Sequence, residues 1–232
     1  MPLIKAPDRG RTQTDWLDSR HTFSFGDYQN PARRGFGCLK VINDDQIAPG
    51  AGFPTHPHAN MEIITYMLAG EIAHQDSLGH GSVIRRHELQ RMSAGTGISH
   101  SEFNPSDEIP THLLQIWIHP AERNLSPSYE QKCFDVLSDG SWQLLASSAE
   151  SSGTLRIHQD VKVYRSLLQA GQSQTYSLER GRCLWVHMAL GEGALDGQAL
   201  AAGDGLGLES PGTLTFSTPG QAEILLFDLP GL

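Results

Sequence analysis

Two histidines lie one residue apart in the proline-containing stretch FPTHPHANME, residues 53–62, and a glutamate follows them. In a β-strand, residues i and i+2 point to the same side, so His56 and His58 would project together. Pro54 and Pro57 restrict the local backbone, which would hold both imidazoles in place before a ligand binds. The spacing therefore predicts two nitrogen ligands on one face of a short strand.

A second pair of ligand-type residues has the same spacing in the stretch ISHSEFN, where His100 and Glu102 would also share one side of a strand. Gly95 and Gly97 precede this pair and predict a tight turn that leads into it. Surface and core histidines are common, but two such pairs in one chain favour a ligand site. Spacing alone leaves Glu62 open as a second source of a carboxylate.

Three imidazole nitrogens and one carboxylate oxygen predict a metal site. Nitrogen and oxygen ligands without thiolate suit iron, manganese, copper, nickel or zinc. Four protein ligands on an octahedral ion leave two positions open for water, substrate or dioxygen. Ligand type discriminates poorly among these metals, so the residues do not identify the ion.

Composition narrows the class of protein. The chain has 232 residues, 38% of them hydrophobic, and is expected to be soluble and globular. Its net charge of -9 argues against direct binding of nucleic acid. No segment has the pattern of a secretory signal or a membrane span, so a cytoplasmic location is expected. Three cysteines, Cys38, Cys133 and Cys183, are far apart and predict reduced thiols in the core.

Short apolar stretches between glycine, proline and Asx turns predict an all-β chain. A hairpin is expected at DSLGHG, residues 76–81. Many short strands at this spacing favour a sandwich or a barrel. Candidate strands are residues 35–44, 61–68, 70–76, 112–120, 183–190, 214–218 and 222–229.

A weak internal repeat divides the chain in two. When residues 87–88 are aligned on residues 203–204 without gaps, His100 falls on Phe216 and Glu102 falls on Thr218. The repeat predicts two similar β-barrels, of which only the first keeps polar groups at the key positions. The polar, serine-rich region between them predicts a boundary, with one domain over residues 1–135 and a second over residues 136–232.

The histidine motifs resemble those of the cupin superfamily. Its first motif, G-x5-H-x-H-x3-E, matches Gly50, His56, His58 and Glu62, and the end of its second, G-x2-H-x3-N, matches Gly97, His100 and Asn104. Two positions depart from the pattern: Gly70 comes one residue late, and Gly95 stands where a proline is expected.

Longer stretches resemble the pirin family in particular. They are WLDSRHTFSFGDY, THPHANMEIITYML, MSAGTGISHSEFN and LQIWI, and the likeness is close over residues 7–135 and thinner beyond, at LRIHQDVKVY and ILLFDLP. The resemblance implies an all-β bicupin, with two tandem jelly-roll-like cupin barrels in one chain. It also implies one divalent metal ion in the first barrel, usually Fe(II), with Mn, Ni, Cu, Co and Zn left open.

The resemblance implies which carboxylate binds the metal. Pirins use the acid two residues after the third histidine, so the implied ligands are His56, His58, His100 and Glu102. Glu62 then either supports these ligands from behind or is a plain strand residue. No functional role is predicted for the other histidines considered: His21 is expected to be structural, and His74, His80 and His87 are expected on hairpin surfaces.

Pirin-like proteins of bacteria are associated with quercetin 2,3-dioxygenase activity, which opens the heterocyclic ring of a flavonol with dioxygen and releases carbon monoxide. The resemblance thus implies a flavonol-like substrate, with Glu102 as first candidate for the base and Glu62 as second. The alternative is a metal-binding regulator that acts through protein partners without catalysis. A cupin enzyme with another small substrate is a third reading, because fold does not determine function.

Overall fold

The structure is a computed structural model that describes residues 3–137, 139–149 and 153–231. Within these ranges the chain forms β-strands and one 3-10 turn, Ala6–Asp8, and contains no α-helix. The all-β prediction is confirmed. The same ranges contain no helix that is long and apolar enough to cross a membrane.

The strands fall into two successive sets. The first set is β1 (Leu3–Ile4), β2 (Gly10–Gln13), β3 (Leu17–His21), β4 (Leu39–Ile47), β5 (Gly52–His58), β6 (Glu62–Ala69), β7 (Glu71–Asp76), β8 (Gly81–Arg85), β9 (Glu88–Ser93), β10 (Ile98–Phe103), β11 (Thr111–Ile118) and β12 (Ser128–Cys133). The second set is β13 (Gln143–Ser147), β14 (Leu155–Arg156), β15 (Lys162–Leu168), β16 (Ser173–Leu178), β17 (Arg182–Leu195), β18 (Gln198–Ala201), β19 (Gly205–Leu208), β20 (Gly212–Ser217) and β21 (Ala222–Pro230).

The five inner strands of the two large sheets have the same order, in keeping with the internal repeat, whereas the edge strands differ. The large sheet of the first half runs β12-β9-β6-β11-β4-β3-β2, and that of the second runs β1-β19-β17-β21-β15-β13-β14. The small sheet of the first half, β5-β10-β7-β8, corresponds to the pairing of β16, β20, β17 and β18 in the second. Strand β10, which carries the predicted ligands His100 and Glu102, therefore has β20 as its counterpart.

Neither half closes into the barrel that the sequence predicts. Both large sheets and the small sheet β5-β10-β7-β8 end in strands that have a partner on one side only. In the second half, β17 is long enough to run from the large sheet into the small one, which joins the two into a single ten-stranded sheet. The halves are therefore open, layered sheets rather than closed barrels.

The N-terminal strand β1 lies in the sheet of the second half rather than in that of the first. Strand β1, at the N-terminus, pairs with β19 in the sheet of the second half, and β12 occupies the corresponding edge of the first sheet by pairing with β9. Strands β12 and β13 flank the predicted boundary at residue 135 and lie in different sheets. The boundary itself stays a prediction.

The largest apolar cluster lies between the two large sheets. It contains Ile64 and Leu114 from the first half together with Trp185, Leu225 and Phe227 from the second, all fully buried. Separate clusters fill the space between the large and the small sheet of each half. Since each large sheet is covered on both faces, the strands β6, β11 and β21 are buried at nearly every position rather than at alternate ones.

The strand predictions hold with shifted ends. The predicted strand over residues 35–44 begins only at Leu39, because residues 35–38 form a turn. The hairpin predicted at residues 76–81 joins β7 to β8. Cysteine placement is partly wrong: Cys183 is buried, but Cys133 ends β12 and is exposed. All three cysteines are free thiols, as predicted.

The shared core predicts the effect of a truncation. Replacing the fully buried Leu225 by alanine leaves a cavity between the two large sheets. We expect Leu225→Ala to lower the free energy of unfolding by about 2–5 kcal/mol. Chemical denaturation followed by tryptophan fluorescence measures this change. The control is Leu78→Ala in an exposed turn, expected within about 0.5 kcal/mol of wild type; equal effects of the two substitutions would refute a shared core.

Candidate metal centre

Strands β5 and β10 bring the predicted ligands together. They pair antiparallel, with His56 opposite His100 and Phe53 opposite Glu102. Between these two pairs β5 advances three residues and β10 only two, so β5 carries a bulge. The bulge includes Pro54, in keeping with the tolerance of bulges for proline. The extra residue re-aims the histidine pair relative to the rest of β5.

Three imidazole nitrogens converge. The Nε2 atom of His100 lies 3.0 Å from Nε2 of His58 and 3.1 Å from Nε2 of His56. Nitrogen ligands about 2.1 Å from one ion, at right angles to each other, lie about 3.0 Å apart. The observed distances therefore match neighbouring positions around one octahedral ion. The residues present fit a divalent metal, and the convergence of the three predicted histidines is confirmed.

The buried Glu102 faces the same cavity as the three histidines, and two side chains hold its carboxylate. The Nε2 amide of Gln115 donates to Oε2 at 3.1 Å, and the hydroxyl of Thr65 donates to Oε1 at 3.3 Å. Burial raises the pKa of Glu102. Its oxygens group with ring nitrogens of His74 and His100 rather than with all three predicted histidines. Its role as a fourth ligand stays a prediction.

The imidazoles are held in the form that binds metals. Burial, with a smaller contribution from the neighbouring His56, lowers the pKa of His58 to about 4. Burial and the nearby histidines lower the pKa of His100 to about 2. Both rings are therefore neutral at physiological pH, and a neutral imidazole offers a free lone pair to a metal.

A cavity of about 290 Å³ opens from the ligand atoms, at the small end of the range for small-molecule sites. Aromatic rings line part of it. Trp117 packs edge-on against His58 with ring centroids 5.1 Å apart, and Phe25 packs against Trp117 at 5.3 Å. Phe53 also lines the cavity. A flat apolar ring could contact these side chains directly.

Strands β3 and β4 supply a polar part of the cavity wall. The hydroxyl of Ser19 donates to Oδ1 of Asp45, and Nδ1 of His21 lies 2.8 Å from Oδ1 of Asn43. All four side chains are buried, and burial raises the pKa of Asp45 to about 7. The hydroxyl of Thr12 contacts the second nitrogen of His21 at 2.8 Å, and His21 lines the cavity, so its structural role stays a prediction.

Two buried polar atoms of the lining have no hydrogen-bond partner among the described residues. They are Oε1 of Gln115 and Nε1 of Trp117. Both residues lie on β11, and their spacing places them on one side of it. The sequence predicts this shared face but not that it lines the cavity. Unpaired buried polar atoms are costly, so a ligand that pairs with them would gain binding energy.

Glu62 lies away from the cavity. Its carboxylate accepts hydrogen bonds from the hydroxyl of Ser93 at 2.9 Å and from the backbone N–H of His158 at 3.2 Å. His158 belongs to the second half of the chain, so Glu62 ties the two halves together. No metal-type group found among the described residues contains Glu62.

The prediction that His74 lies on a hairpin surface is wrong. His74 is buried rather than on a hairpin surface, because it lies on β7 directly opposite Glu102 of β10. His80 is exposed in the turn, as expected, and His87 is half-buried. The even spacing of His74 and Asp76 on one strand is the signal that could have identified His74.

The second half has no equivalent of the centre among its described residues. Phe216, which aligns with His100 in the repeat, is fully buried and packs edge-on against Trp142 at 5.1 Å. The hydroxyl of Thr218, which aligns with Glu102, donates to the backbone oxygen of Glu192 at 2.6 Å. Both groups of ligand type found among the described residues lie in the first half, and the lack of metal ligands in the second half stays a prediction.

Comparisons with known proteins agree with this geometry. Residues 5–118 match the family described as Pirin, and residues 144–229 match the family described as quercetinase C-terminal cupin domain. A protein named quercetin 2,3-dioxygenase from Escherichia coli K12 is 43% identical over 228 residues, 98% of each chain. A pirin-like protein from Caulobacter vibrioides is 39% identical over 221 residues, 94% of this chain and 95% of that protein.

A solved structure shows the same fold with a metal. The crystal structure of a bacterial pirin from Escherichia coli in complex with nickel(II) superposes with a TM-score of 0.95 at 42% identity, and the match covers 100% of this chain and 99% of that chain. The comparisons confirm the predicted two-cupin architecture.

The lowered pKa values predict how His58 and His100 titrate. A histidine with an ordinary pKa of about 6.5 becomes protonated as the pH falls from about 8 to about 5.5. In metal-free protein, we expect the ring ¹⁵N shifts of His58 and His100 to stay at neutral-form values over this range, because each pKa lies below it. A denatured sample supplies the ordinary titration as control, and protonation of either ring near pH 6.5 in folded protein would contradict the expectation.

Proposed function

Because this chain belongs to the pirin family, we propose that it is a metal-dependent dioxygenase that opens the heterocyclic ring of a flavonol and releases carbon monoxide. The observation that carries the proposal is the convergence of three Nε2 atoms, 3.0 and 3.1 Å apart, at a cavity with an aromatic wall. The name quercetin 2,3-dioxygenase of a relative that matches over nearly the whole chain supports the substrate class.

The proposed ligands are His56, His58, His100 and Glu102, and the proposed ion is Fe(II). The nickel(II) complex of the related pirin supports a divalent ion, and the three converging nitrogens of this chain offer a place for it. A divalent ion, when bound, lowers the pKa of a coordinated hydroxyl group and provides a common site for substrate and dioxygen. The protein supplies neutral imidazoles for that ion, since burial keeps His58 and His100 unprotonated.

Glu102 is the proposed base for the flavonol 3-hydroxyl. Its carboxylate faces the cavity beside His100, and its raised pKa gives it a higher affinity for a proton than an exposed glutamate has. Gln115 and Thr65 donate to it and hold it in place. Glu62, the second candidate, is engaged with Ser93 and the second half of the chain, which favours Glu102.

The cavity wall has the chemistry to bind a flat polyphenol. Phe25, Phe53 and Trp117 offer apolar surface to aromatic rings. The pair Ser19 and Asp45 offers hydrogen-bonding groups to hydroxyl or carbonyl oxygens at the rim of such a molecule. A cavity that contained only apolar side chains would not distinguish a polyphenol from a plain hydrocarbon.

Oxygen uptake tests the proposed reaction. We expect protein loaded anaerobically with Fe(II) to consume dioxygen and to release carbon monoxide when quercetin is added. The double variant His56→Ala, His58→Ala should lose both metal and uptake. Glu102→Gln should lower kcat by about 100-fold or more, because proton transfer to a positioned group contributes about 10²–10⁴-fold.

Metal content is measured beside activity, so the outcomes can be separated. Glu102→Gln protein that retains iron and turns over normally would remove the proposed role of Glu102. Fully iron-loaded wild-type protein that consumes no dioxygen would refute the flavonol dioxygenase and would turn the search to metal-dependent binding of protein partners.

The polar wall predicts a pH effect on substrate binding. With a pKa of about 7, Asp45 is protonated and can donate a hydrogen bond below pH 7, whereas above it the buried carboxylate repels substrate oxygens. We expect the wild-type KM for quercetin to rise as the pH passes from about 6 to about 8. Asp45→Asn keeps a donor without a charge, so its KM should vary less over the same range.

The matched control is Asp18→Asn on the neighbouring strand, where the carboxylate is part-exposed and pairs with Arg11. It should follow the wild-type pH profile, since it does not line the cavity. A KM profile for Asp45→Asn that superposes on those of the wild type and Asp18→Asn would exclude Asp45 from substrate binding.

A further inference from the structure

A buried hydrogen-bonded network leads from the surface turn after β7 to the back of His100. His74 is 2% exposed, and its Nε2 lies 3.1 Å from Oδ2 of Asp76. Its other nitrogen, Nδ1, lies 3.4 Å from Nδ1 of His100. The Nε2 atom of His100 is the one that faces His56 and His58. The two nitrogens of His100 therefore point to different partners.

The orientation of Asp76 is determined by the turn. Its Oδ1 accepts hydrogen bonds from the backbone N–H of Leu78 at 2.9 Å and of His80 at 3.1 Å. These two donors leave Oδ2 facing the ring of His74. A carboxylate oxygen only accepts, so Nε2 of His74 must carry the proton that is shared with it.

The position of the proton on His74 determines the position of the proton on His100. A neutral His74 with its proton on Nε2 has a lone pair on Nδ1, which can accept from the Nε2 amide of Gln90 at 3.2 Å and from Nδ1–H of His100. His100 then has its proton on Nδ1 and a free lone pair on Nε2, the atom directed at the metal position. The ring of Tyr129 stacks on the ring of His74, with the ring centroids 4.9 Å apart, and holds it in place.

We propose that Asp76 and His74 are positioning residues that hold His100 in the one tautomer able to bind a metal through Nε2. The inference rests on the metal site of the proposed function but not on the reaction. Partners behind a metal-binding histidine fix its tautomer and orientation, and their loss lowers metal affinity about 10–100-fold. Here the partner is a second histidine, and the carboxylate lies one step further from the metal.

The same atoms allow a competing arrangement, which the network excludes. His74, His100 and Glu102 form a second group of ligand type, so a second ion could bind there through Nδ1 of both rings. A proton on Nδ1 of His100 occupies the atom that such an ion would need. The network therefore predicts one metal ion per chain.

The variant Asp76→Asn tests the direction of the network. The amide oxygen is expected to keep the place of Oδ1, where two backbone donors hold it, so the NH₂ group faces Nε2 of His74. His74 must then carry its proton on Nδ1, which opposes Nδ1–H of His100 and favours the tautomer protonated on Nε2. We expect nickel(II) affinity, measured by competition with a chelator, to fall about 10–100-fold.

His80→Ala is the matched control, because His80 also contacts Asp76 but lies on its exposed side. It should bind nickel(II) with wild-type affinity and a stoichiometry of one. Two ions per chain in the wild type, or unchanged affinity in folded Asp76→Asn protein, would overturn the proposal. Thermal melts of both variants show whether an affinity change reflects unfolding.

A measurement on metal-free wild-type protein tests the network without any variant. Long-range ¹⁵N–¹H spectra of the imidazoles should show His100 protonated on Nδ1 and His74 protonated on Nε2. A proton on Nε2 of His100 would refute the network, whatever the activity. Because neither metal loading nor turnover enters this measurement, its failure leaves the flavonol dioxygenase proposal intact, and failure of oxygen uptake leaves the network intact.

Discussion

The antiparallel pairing of β10 between β5 and β7 is the constraint on which the centre depends. It places His56 on one side of His100 and Asp76 on the other. The ligands therefore come from neighbouring strands of one small sheet, where hydrogen bonds fix the distance between backbones. Because rigid elements place side chains more accurately than loops do, the three imidazole nitrogens can meet before any ion binds.

Burial shifts the pKa values of groups around the candidate site. An imidazole or a carboxyl group that is taken out of water loses the solvation of its charged form. His58 and His100 accordingly stay neutral, and Glu102 and Asp45 hold protons at higher pH than exposed acids do. Such a set of buried polar groups is costly. The apolar cluster between the two large sheets offsets that cost at a distance from the site.

The two halves of the repeat share a fold but differ in the residues at the candidate site. The inner strands of the two large sheets have the same order, yet Phe216 and Thr218 fill the places of His100 and Glu102 with an apolar ring and a backbone-bonded hydroxyl. The second half contributes stability instead. It covers the outer face of β6, and His158 contacts Glu62 directly. One half therefore holds the proposed ligands while the other closes the core behind them.

The sequence by itself determined the all-β class, the repeat and the shared side of His56 and His58, because these follow from the period of two along a strand and from the turns between strands. That His100 meets them depends on the pairing of β10 with β5. The sequence missed His74, Ser19 and Asp45, and it left the place of Glu62 relative to the cavity open. These positions depend on which strand lies beside which and in what register, and single-strand periodicity carries no information on that. Only the tertiary structure decided that β7 and β4 contribute side chains around the centre while Glu62 turns toward the second half. The physical reason is that strand pairing is a long-range choice, made by the fit of whole sheets and their cores rather than by neighbouring residues.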